Sequence, residues 1–519
     1  MTTQPTNGAQ NLIRTLLKGG VDVCFTNPGT SEMHFVAALD QVEGMRAILC
    51  LFEGVCTGAA DGYARMTGKP ASTLLHLGPG LGNGIANLHN ARRARSPMVN
   101  VVGEHATYHI QYDAPLTSDI EGLAWPQSAW VRTSQLPDDI SRDTADAITA
   151  ANTYPGQIAT LILPGDTSWN PTDVPITVPK APSPPSINHD AVQEAARLLR
   201  SGEPTALYIA GQAVLNEGAQ MVSRIAKATR ADVKLNRFTG RRQLGAGRPI
   251  FENLAYVVPT AVSQLEKYKN IILVGSDQPV AFFAYPNNPS LLASPDSNIH
   301  SLATPQEDSV GALAALADEL NVPDELGAQY EYAPLAKPTG ELSLDAIWLG
   351  VIAQLPEQAI MINEALTSAR PADKWLPYAK PFDMIQGTGG SIGHGLPESV
   401  GAAVACPDRQ VIDMQADGSA LYTIQSLWTM ARENLNIVVV LFNNRAYRIL
   451  QGELQKVGAK RTGNIADTLL NLDNPQLDFV SIAQGMGVEA SRAETADSFN
   501  DQLTAALAKS GPHLIEVLV

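Results

Sequence analysis

QVIDMQADGS, residues 410–419, is an apolar run that ends in an aspartate, a glycine and a serine. The next apolar run, Ile437–Phe442, leads to Asn444. A helix predicted at Tyr422–Glu433 separates the two runs and provides the crossover that joins neighbouring parallel strands. Asp417, which closes the first run, and Asn444 are therefore expected at the same edge of one parallel sheet.

These residue types favour a metal-bridged diphosphate site. A carboxylate, an amide oxygen and backbone carbonyls are hard oxygen ligands, which Mg²⁺ prefers when phosphate oxygens complete its coordination. Gly418 lets a diphosphate approach the backbone closely, and the start of the crossover helix offers unpaired N–H groups. The alternative is a simple strand-to-helix turn in which Ser419 is the N-cap. The pairing of Asp417 with Asn444 between two apolar strands favours the metal site.

The composition predicts an ordinary soluble protein of two or three domains. Its 519 residues exceed the roughly 250–300 residues at which a single hydrophobic core stops growing. The formal net charge of −16 at pH 7 disfavours nucleic acid and an anionic membrane surface as the main partner. No run of about 18 apolar residues predicts a membrane span. We therefore expect no nucleic acid and no membrane among its partners.

The cysteines and the N-terminus bear on the compartment. Cys24, Cys50, Cys56 and Cys406 show no C-x-x-C spacing and lie among apolar residues. Buried free thiols are therefore favoured over disulfides or a zinc site. The first ten residues are polar and carry no basic-then-apolar secretion signal. These features predict a cytoplasmic protein.

Two breaks divide the chain into three predicted domains. Six prolines between Pro171 and Pro185 exclude a helix or an interior strand and predict an extended linker. A second break is predicted at 332–340, where prolines and a glycine interrupt a helical pattern. The predicted domains comprise residues 1–170, 186–332 and 341–519.

Short apolar runs alternate with amphipathic stretches in each domain. The predicted strands include Ile158–Leu163, Ile271–Val274, Gln410–Met414 and Ile437–Phe442, and the predicted helices include Gly8–Gly19, Ala191–Arg200 and Ser498–Lys509. Such alternation predicts an α/β fold with three domains, each a mostly parallel sheet covered by helices. Ligands of such sheets bind at the carboxyl ends of the strands.

The arrangement of Asp417 and Asn444 resembles the diphosphate motif of the thiamine-diphosphate-dependent 2-oxo acid decarboxylases and carboligases. In that family the motif is normally Gly-Asp-Gly followed by Asn-Asn. The resemblance implies that Asp417, Asn444 and the carbonyl of Ala446 bind Mg²⁺. It also implies that Gly418 and Ser419, together with the metal ligands, hold the diphosphate of the cofactor.

Two positions depart from the family motif. Ala416 replaces the usual first glycine, and Arg445 stands where a glycine is common. Alanine is small, and Arg445 is expected to point away from the metal. Within Gly390–Gly395, Ile392 occupies the place of the bulky residue that, by the resemblance, holds the cofactor bent. Ile392 is therefore expected to contact the cofactor.

Glu53 is a single carboxylate between an apolar run and a stretch of small residues, Gly54–Arg65. A buried unpaired charge is costly, which favours a group that exchanges a proton with a ligand. The alternative is a glutamate in the first turn of a helix, where the helix dipole stabilises it. The surrounding residues resemble the same family. That resemblance implies that Glu53 bonds N1′ of the aminopyrimidine and promotes loss of the thiazolium C2 proton, which creates an ylid.

The resemblance covers nearly the whole chain, in the order pyrimidine domain, central domain and diphosphate domain. It is closest to benzoylformate decarboxylase and acetolactate synthase. The stretch 27–32 resembles a turn with an active-site hydroxyl, so Ser31 is a candidate catalytic residue, with Thr30 as an alternative. The stretch 75–83 resembles a histidine-bearing loop, so His76 is a candidate proton donor or acceptor. A turn or helix cap at Ser31 and a backbone-bonded histidine at a strand end are the structural alternatives.

In that family, a 2-oxo acid gives an enamine or carbanion that either takes up a proton or attacks a second carbonyl. Phe282, Phe283 and Ala284 stand where benzoylformate decarboxylase offers a second histidine, and the adjacent histidine pair of pyruvate decarboxylases is missing. Fewer proton donors favour attack on a carbonyl acceptor. The sequence therefore predicts carboligation like that of acetolactate synthase, with simple non-oxidative decarboxylation as the alternative.

The sequence also bears on other cofactors, on other functions and on the oligomeric state. FAD is possible in the central domain of such proteins but is not expected here, and no G-x-G-x-x-G array supports a nicotinamide dehydrogenase. A non-catalytic cofactor-binding paralogue is disfavoured because Glu53, Asp417 and Asn444 occur together. The resemblance implies an active site between two subunits, so a homodimer is the expected minimal unit and a homotetramer is consistent with it.

Overall fold

Apolar runs bounded by glycine- and proline-rich turns form three sheets in the computed structural model of the protein. The structure describes residues 6–324, 331–460 and 463–519. Residues 1–5 of the predicted first domain and 325–330 of the predicted central domain lie outside the described residues. Strands and helices are numbered below in chain order.

The first sheet is parallel throughout the described residues. In spatial order its strands are β2 (Arg46–Leu49), β1 (Val23–Thr26), β3 (Ala71–Leu75), β4 (Met98–Glu104), β6 (Ile158–Pro164) and β5 (Trp130–Thr133). Strands β1, β3, β4 and β6 are buried along their whole length, as expected for parallel strands covered by helices on both faces.

The second sheet is also parallel within the described residues. In spatial order its strands are β10 (Glu252–Asn253), β8 (Asp232–Leu235), β7 (Thr205–Ile209), β11 (Asn270–Val274) and β12 (Asn298–Ala303). It is formed wholly from the part of the chain between the two predicted breaks.

The third sheet is parallel apart from one edge strand. In spatial order its strands are β17 (Glu489–Ala493), β18 (His513–Leu518), β16 (Ile437–Asn443), β15 (Val411–Ala416), β13 (Ile360–Glu364), β14 (Phe382–Gln386) and β9 (Arg241–Leu244). Strand β9 comes from the middle of the chain and pairs antiparallel with β14. The central part of the chain therefore contributes the edge of this sheet.

The helices cover the faces of the three sheets. Those of the first third of the chain are α1 (Gly8–Lys18), α2 (Met33–Leu39), α3 (Glu53–Thr67), α4 (Leu77–Ala94), α5 (Ile120–Ala124), α6 (Ile140–Ala151) and α7 (Gly165–Trp169). Those that follow are α8 (His189–Arg200), α9 (Asn216–Thr229), α10 (Val258–Leu265) and α11 (Ser309–Leu320). The remaining helices are α12 (Leu344–Gln354), α13 (Ala372–Trp375), α14 (Gly395–Ala405), α15 (Asp417–Ala420), α16 (Ser426–Arg432), α17 (Arg448–Lys456), α18 (Ile465–Leu470), α19 (Phe479–Gly485) and α20 (Ala496–Leu507).

Helix α3 lies against α14, and this contact joins the first and third sheets. Two glycines let the backbones approach each other. A Cβ on Gly62 would lie 2.2 Å from the carbonyl oxygen of Glu398, and a Cβ on Gly401 would lie 1.8 Å from that of Ala59. The two sheets consequently share one hydrophobic core. Its buried side chains include Phe25, Val102, Ile362 and Val439.

The predicted α/β fold class is confirmed, and the predicted strands and helices overlap observed ones. The crossover between β15 and β16 differs from the prediction. A helix was predicted at Tyr422–Glu433, but α16 begins only at Ser426. Turns occupy the preceding residues, and the hydroxyl of Thr423 there donates to the carbonyl of Gly393 at 2.9 Å. This tertiary contact outweighs the local preference for helix.

The cysteines and the helices bear on two further predictions, which concern free thiols and membrane spans. All four cysteines are free thiols, and Cys24, Cys50 and Cys56 are buried as predicted, whereas Cys406 is half-buried. Within the described ranges, the helices are too short or too polar to cross a bilayer.

Candidate active site

Glu53 is the first residue of α3, and its side chain is buried. Phe52, which precedes the helix, is extended, with φ −158° and ψ 136°. The Glu53 carboxylate accepts a hydrogen bond of 2.9 Å from Nδ2 of Asn83. A Cβ on Gly80 would lie 3.0 Å from Oε1 of Glu53 and 3.3 Å from Cβ of His76. Glu53 and His76 are therefore neighbours beside the first turns of α4.

His76 lies between the end of β3 and the start of α4. Its Nδ1 is 2.8 Å from Oε2 of Glu32, and this oxygen also accepts a bond of 2.7 Å from the N–H of Gly29. Gly29 contacts the imidazole directly, since a Cβ there would lie 2.2 Å from Nδ1. Burial raises the pKa of Glu32, and the interactions with His76 and Gly29 oppose that shift. Glu32 thus holds the ring through Nδ1 and leaves Nε2 turned away from it.

Glu32 and Asn83 belong to the site but were not predicted from the sequence. Asn83 comes about two helical turns after His76, so the same helix face was a signal that could have identified it. Glu32 is three residues beyond Gly29 in the turn after β1, and its contact with His76 depends on β1 and β3 being neighbours. Ser31 lies in the same short 3₁₀ helix as Glu32 and is partly exposed.

The loop Gly389–Gly395 carries Ile392 and leads into α14. Helix α4 holds its first half. The side chain of Asn90 donates to the carbonyl of Ser391 at 2.7 Å and accepts from the N–H of Ser391 at 3.2 Å. Nε2 of His89 lies 3.0 Å from the carbonyl oxygen at the start of the loop. The loop is therefore fixed against the helix that also bears Asn83 and follows His76.

Asp417 lies at the carboxyl edge of the third sheet, immediately after β15. Strands β15 and β16 are in parallel register, with Ala416 opposite Phe442, so both strands end at the same edge. Oδ1 of Asp417 accepts from the N–H of Gly418 at 2.8 Å, and Oδ2 accepts from the N–H of Arg445 at 2.6 Å. Burial raises the pKa of Asp417, and these backbone bonds oppose the shift.

The two adjacent asparagines after β16 have different surroundings. Nδ2 of Asn443 donates to the buried carboxylate of Glu516 at 2.6 Å. Oδ1 of Asn444 instead accepts from the N–H of Ala446 at 3.0 Å, within the turn next to Asp417. Arg445 has φ +55°, which explains why a glycine suits this position. Asn443 thus bonds the neighbouring strand through Nδ2 and accepts from the N–H of Arg445 at 3.3 Å through Oδ1, while the bond of Asn444 lies within the turn.

Gly418 and Ser419 lie in the short helix α15. Ser419 is not its N-cap, because Ala416 occupies that position. The Ser419 hydroxyl donates to the carbonyl of Ala416 at 3.1 Å and accepts from Nε2 of Gln415 at 2.7 Å. A Cβ on Gly418 would lie 2.7 Å from Cε1 of Tyr447, so only glycine fits beneath that ring. The simple-turn alternative with a capping serine is therefore not observed.

Phe282 contacts the loop that carries Ile392. A Cβ on Gly390 would lie 2.4 Å from Cζ of Phe282. The Phe282 ring packs against Phe238 and Phe283, with ring centroids 4.9 Å and 4.7 Å apart. Phe283 is 53% exposed, and Ala284 is exposed as well. The stretch 282–284 is thus not wholly buried. Phe282 contacts the loop, whereas Phe283 and Ala284 are exposed to solvent.

The structure brings the predicted residues together in two groups. One group, Glu53 and His76, lies at the first sheet, and the other, Asp417, Asn444 and Ala446, lies at the third. No three histidine, cysteine, aspartate or glutamate side chains group as a metal site in residues 6–324, 331–460 and 463–519. The second group contains a single such side chain, because its other candidate ligands are an amide and a backbone carbonyl.

Two family models match the parts of the chain that contain the two groups. A family model described as "Thiamine pyrophosphate enzyme, N-terminal TPP binding domain" matches residues 6–125, and the corresponding "C-terminal TPP binding domain" matches residues 368–517. A Mycobacterium tuberculosis protein named "Putative acetolactate synthase large subunit IlvX" is 50% identical over 99% of this chain and 99% of its own length. The chain belongs to the family of thiamine pyrophosphate enzymes. The predicted family resemblance is confirmed.

Other relatives of this thiamine pyrophosphate enzyme are more distant. Benzoylformate decarboxylase of Pseudomonas aeruginosa is 28% identical, and the match covers 97% of each chain. The solved structure of a thiamine diphosphate-dependent 4-hydroxybenzoylformate decarboxylase from Rhodococcus jostii RHA1 superposes with a TM-score of 0.85. It is 25% identical, and 99% of each chain is covered. The Rhodococcus jostii structure therefore shares its fold with this protein along essentially the whole chain.

Proposed function

We propose that this thiamine pyrophosphate enzyme acts on a 2-oxo acid and joins the activated fragment to a second carbonyl compound, as acetolactate synthases do. The observation that carries this proposal is the 50% identity, over 99% of both chains, with the relative named as an acetolactate synthase large subunit. The relative named benzoylformate decarboxylase is only 28% identical.

The residues at the third sheet fit a divalent metal. Asp417 offers a carboxylate, Asn444 an amide oxygen and Ala446 a backbone carbonyl, which are the hard donors that Mg²⁺ prefers. Asp417 is buried, with its pKa raised by that burial, so a cation beside it would compensate its charge. In this proposal these three residues hold Mg²⁺, and Gly418 and Ser419 hold the diphosphate that the metal bridges.

Thiamine diphosphate, when bound, supplies a carbon nucleophile that adds to the carbonyl group of the 2-oxo acid. Glu53 holds and returns a proton at its carboxylate, facing N1′ of the aminopyrimidine. Asn83 fixes Oε2 of Glu53 by the bond of 2.9 Å. Gly80 lies close to Oε1, and because a Cβ there would lie 3.0 Å from this oxygen, the glycine avoids crowding it. This geometry supports Oε1 as the oxygen that meets the cofactor.

His76 moves a proton at Nε2. Its Nδ1 is bonded to Glu32, so Nε2 is the nitrogen left to act on the substrate. When Nδ1 carries the hydrogen shared with Glu32, Nε2 of the neutral ring is an acceptor. Ser31, in the turn that contacts His76 through Gly29, is the candidate hydroxyl for orienting the substrate, and Thr30 is its alternative.

Carboligation requires that the activated fragment meet a carbonyl acceptor before it meets a proton donor. Phe282 places an aromatic ring against Gly390, where it excludes water from the loop. Ile392, in the same loop, would contact the cofactor in this proposal. The second candidate function is simple non-oxidative decarboxylation. It is favoured by the structural likeness to the 4-hydroxybenzoylformate decarboxylase from Rhodococcus jostii RHA1.

The proposed partners are a 2-oxo acid, a carbonyl acceptor and a second copy of the chain. An active site between subunits would bring Glu53 of one copy to Asp417 of the other, in a homodimer or homotetramer. The grouping of the site residues at two separate sheets is compatible with such sharing. The four free thiols support a reducing, cytoplasmic setting.

The proposal is tested by product analysis. The protein is incubated with thiamine diphosphate, Mg²⁺ and 2-oxo acids, including pyruvate and benzoylformate, with and without added aldehydes. Products are identified by mass and by chiral chromatography. A 2-hydroxy ketone supports carboligation. Aldehyde and CO₂ in equal yield, with no hydroxy ketone at high acceptor concentration, would identify a simple decarboxylase. Cofactor binding without turnover of any 2-oxo acid would indicate a non-catalytic paralogue.

A further inference from the structure

Glu364, the last residue of β13, is buried beneath the loop Gly389–Gly395. Its Oε1 accepts from the N–H of Gly393 at 2.7 Å, and its Oε2 accepts from the N–H of Gly395 at 2.7 Å. The N–H of His394 is 3.4 Å from Oε1. Three consecutive backbone amides thus converge on one carboxylate. Each oxygen of the Glu364 carboxylate accepts hydrogen bonds from its own loop amides. Replacing either oxygen by a hydrogen-bond donor would therefore break those hydrogen bonds.

The side chain of His394 lies between two buried carboxylates. Its Nδ1 is 2.9 Å from Oε2 of Glu398, and its Nε2 is 3.6 Å from Oε1 of Glu364. Burial alone would lower the pKa of His394, but the two carboxylates outweigh it and raise the pKa to about 9. The imidazole is therefore a cation at neutral pH, and its charge adds to the other interactions that compensate the two buried carboxylates.

Other elements surround the same cluster. Nη2 of Arg65, on α3, is 3.0 Å from Oε1 of Glu398, and Nε of Arg65 donates to Asp61 at 2.8 Å. Asp413, on β15, is wholly buried, and this burial together with the charge of Glu364 raises its pKa well above the usual range. The cluster connects α3, α14, β13 and β15 around the end of the loop.

The two halves of the loop are held by different elements. Asn90 of α4 bonds both backbone groups of Ser391, and Glu364 bonds the amides from Gly393 onward. Ile392 is the residue between these two attachments. Its position consequently depends on both of them, and loosening either one changes the surface that the loop presents.

We propose that Glu364, His394 and Glu398 are positioning residues that hold the loop in the shape that brings Ile392 into contact with bound thiamine diphosphate. This inference rests on the proposed function, because the contact of Ile392 with the cofactor belongs to it. The three residues act through the loop backbone. A cluster with a merely structural role would change folding stability alone. A positioning cluster also sets the order of the loop and the affinity for the cofactor.

The test uses Glu364→Gln in the full chain. A carboxamide keeps one acceptor oxygen but turns an NH₂ group toward the second loop amide, so one attachment is lost. In the cofactor-free protein, amide hydrogen exchange of the peptide 387–395 should become faster. The dissociation constant for thiamine diphosphate in the presence of Mg²⁺ should rise roughly 10- to 100-fold. This is the usual effect of removing a residue that orients a binding residue through hydrogen bonds.

Asp143→Asn is the matched control. Asp143, on α6, is a buried carboxylate that accepts from Arg132 and Ser134 at 2.9 Å each. Its substitution should lower the melting temperature without changing loop exchange or cofactor affinity. The proposal is overturned if Glu364→Gln exchanges and binds like the wild type, or if Asp143→Asn weakens cofactor binding equally.

A second measurement covers the case in which Glu364→Gln does not fold. Wild-type loop exchange, corrected for the intrinsic rate, is compared at pH 7 and pH 10. Loss of the His394 charge should remove protection from 387–395 but not from 140–151 in α6. Unchanged loop protection contradicts the proposal. A wild type that binds no thiamine diphosphate overturns the proposed function, whereas the exchange data still show whether the cluster holds the loop.

Discussion

Nδ1 of His76 lies 2.8 Å from Oε2 of Glu32, and the N–H of Gly29 donates to the same oxygen at 2.7 Å. The carboxylate comes from the turn after β1, and the imidazole follows β3, which is the neighbouring strand. Because the pair engages Nδ1, the proposed proton exchange between His76 and a substrate would take place at Nε2.

Glu32→Gln should lower kcat by roughly 10²–10⁴, the usual contribution of an acid–base group, because the imidazole loses the partner that sets its orientation and tautomer. His76→Gln and the double variant complete a cycle, measured as kcat at several pH values. If Glu32 acts through His76, the double variant is no slower than His76→Gln alone. Fully additive losses would show that Glu32 acts independently.

Glu53→Gln should retain thiamine diphosphate but slow turnover by roughly 10²–10⁴, because a carboxamide cannot exchange a proton with N1′. The measurement is deuterium exchange at C2 of the bound cofactor, followed by NMR after an acid quench. Asn83→Ala is the companion variant. It keeps the Glu53 carboxylate and removes only the bond of 2.9 Å, so its effect should be smaller. Exchange in Glu53→Gln at the wild-type rate would rule out the assigned role.

Asp417→Ala and Asn444→Ala should each abolish the Mg²⁺-dependent binding of thiamine diphosphate, because the cation then lacks a ligand and the diphosphate charge is uncompensated. Calorimetric titration with and without EDTA measures the effect. Asn443→Ala is the neighbouring control, since Asn443 is not a proposed metal ligand: its Nδ2 donates to Glu516 at 2.6 Å, and its Oδ1 accepts from the N–H of Arg445 at 3.3 Å. It should lower stability but keep the metal dependence. Unchanged affinity in Asp417→Ala would place the diphosphate site elsewhere.

His394 should make stability depend on pH. Its pKa is raised from the ordinary 6.5 to about 9 in the folded protein, so its stabilising contribution is fully present below pH 6.5 and is lost as the pH rises through 9. The full contribution amounts to about 3 kcal/mol. Denaturant unfolding of wild type and His394→Gln is measured from pH 6 to pH 10. The difference in unfolding free energy should shrink over this range, and a constant difference would contradict a charged histidine.

Phe282→His should shift products from hydroxy ketone toward free aldehyde, because it introduces a proton donor next to Gly390. Product ratios from pyruvate with an added aldehyde, resolved by chiral chromatography, report the shift. Ala284→His is the control, since Ala284 is exposed and should leave the ratio unchanged. An equal shift in both variants would mean that general polarity, and not a donor at the loop, decides the outcome.

Much of the fold could be read from local patterns. The runs Gln410–Met414 and Ile437–Phe442 are mostly apolar because parallel strands are buried on both faces, and both are observed in neighbouring parallel strands. The acidic residue after the first strand and the asparagines after the second had to reach the same edge, since parallel strands end on one side. The helix expected at Tyr422–Glu433 was too long because Thr423 bonds the carbonyl of Gly393.

The α/β architecture and the family follow from the sequence, because burial periodicity and motif spacing are local properties of the chain. Which side chains meet is known only from the folded structure. It gave His76 its partner Glu32, separated Asn443 from Asn444, and enclosed His394 between Glu364 and Glu398. These contacts depend on which strands are neighbours and on the close packing of α3 against α14, and no periodicity within a single segment encodes either.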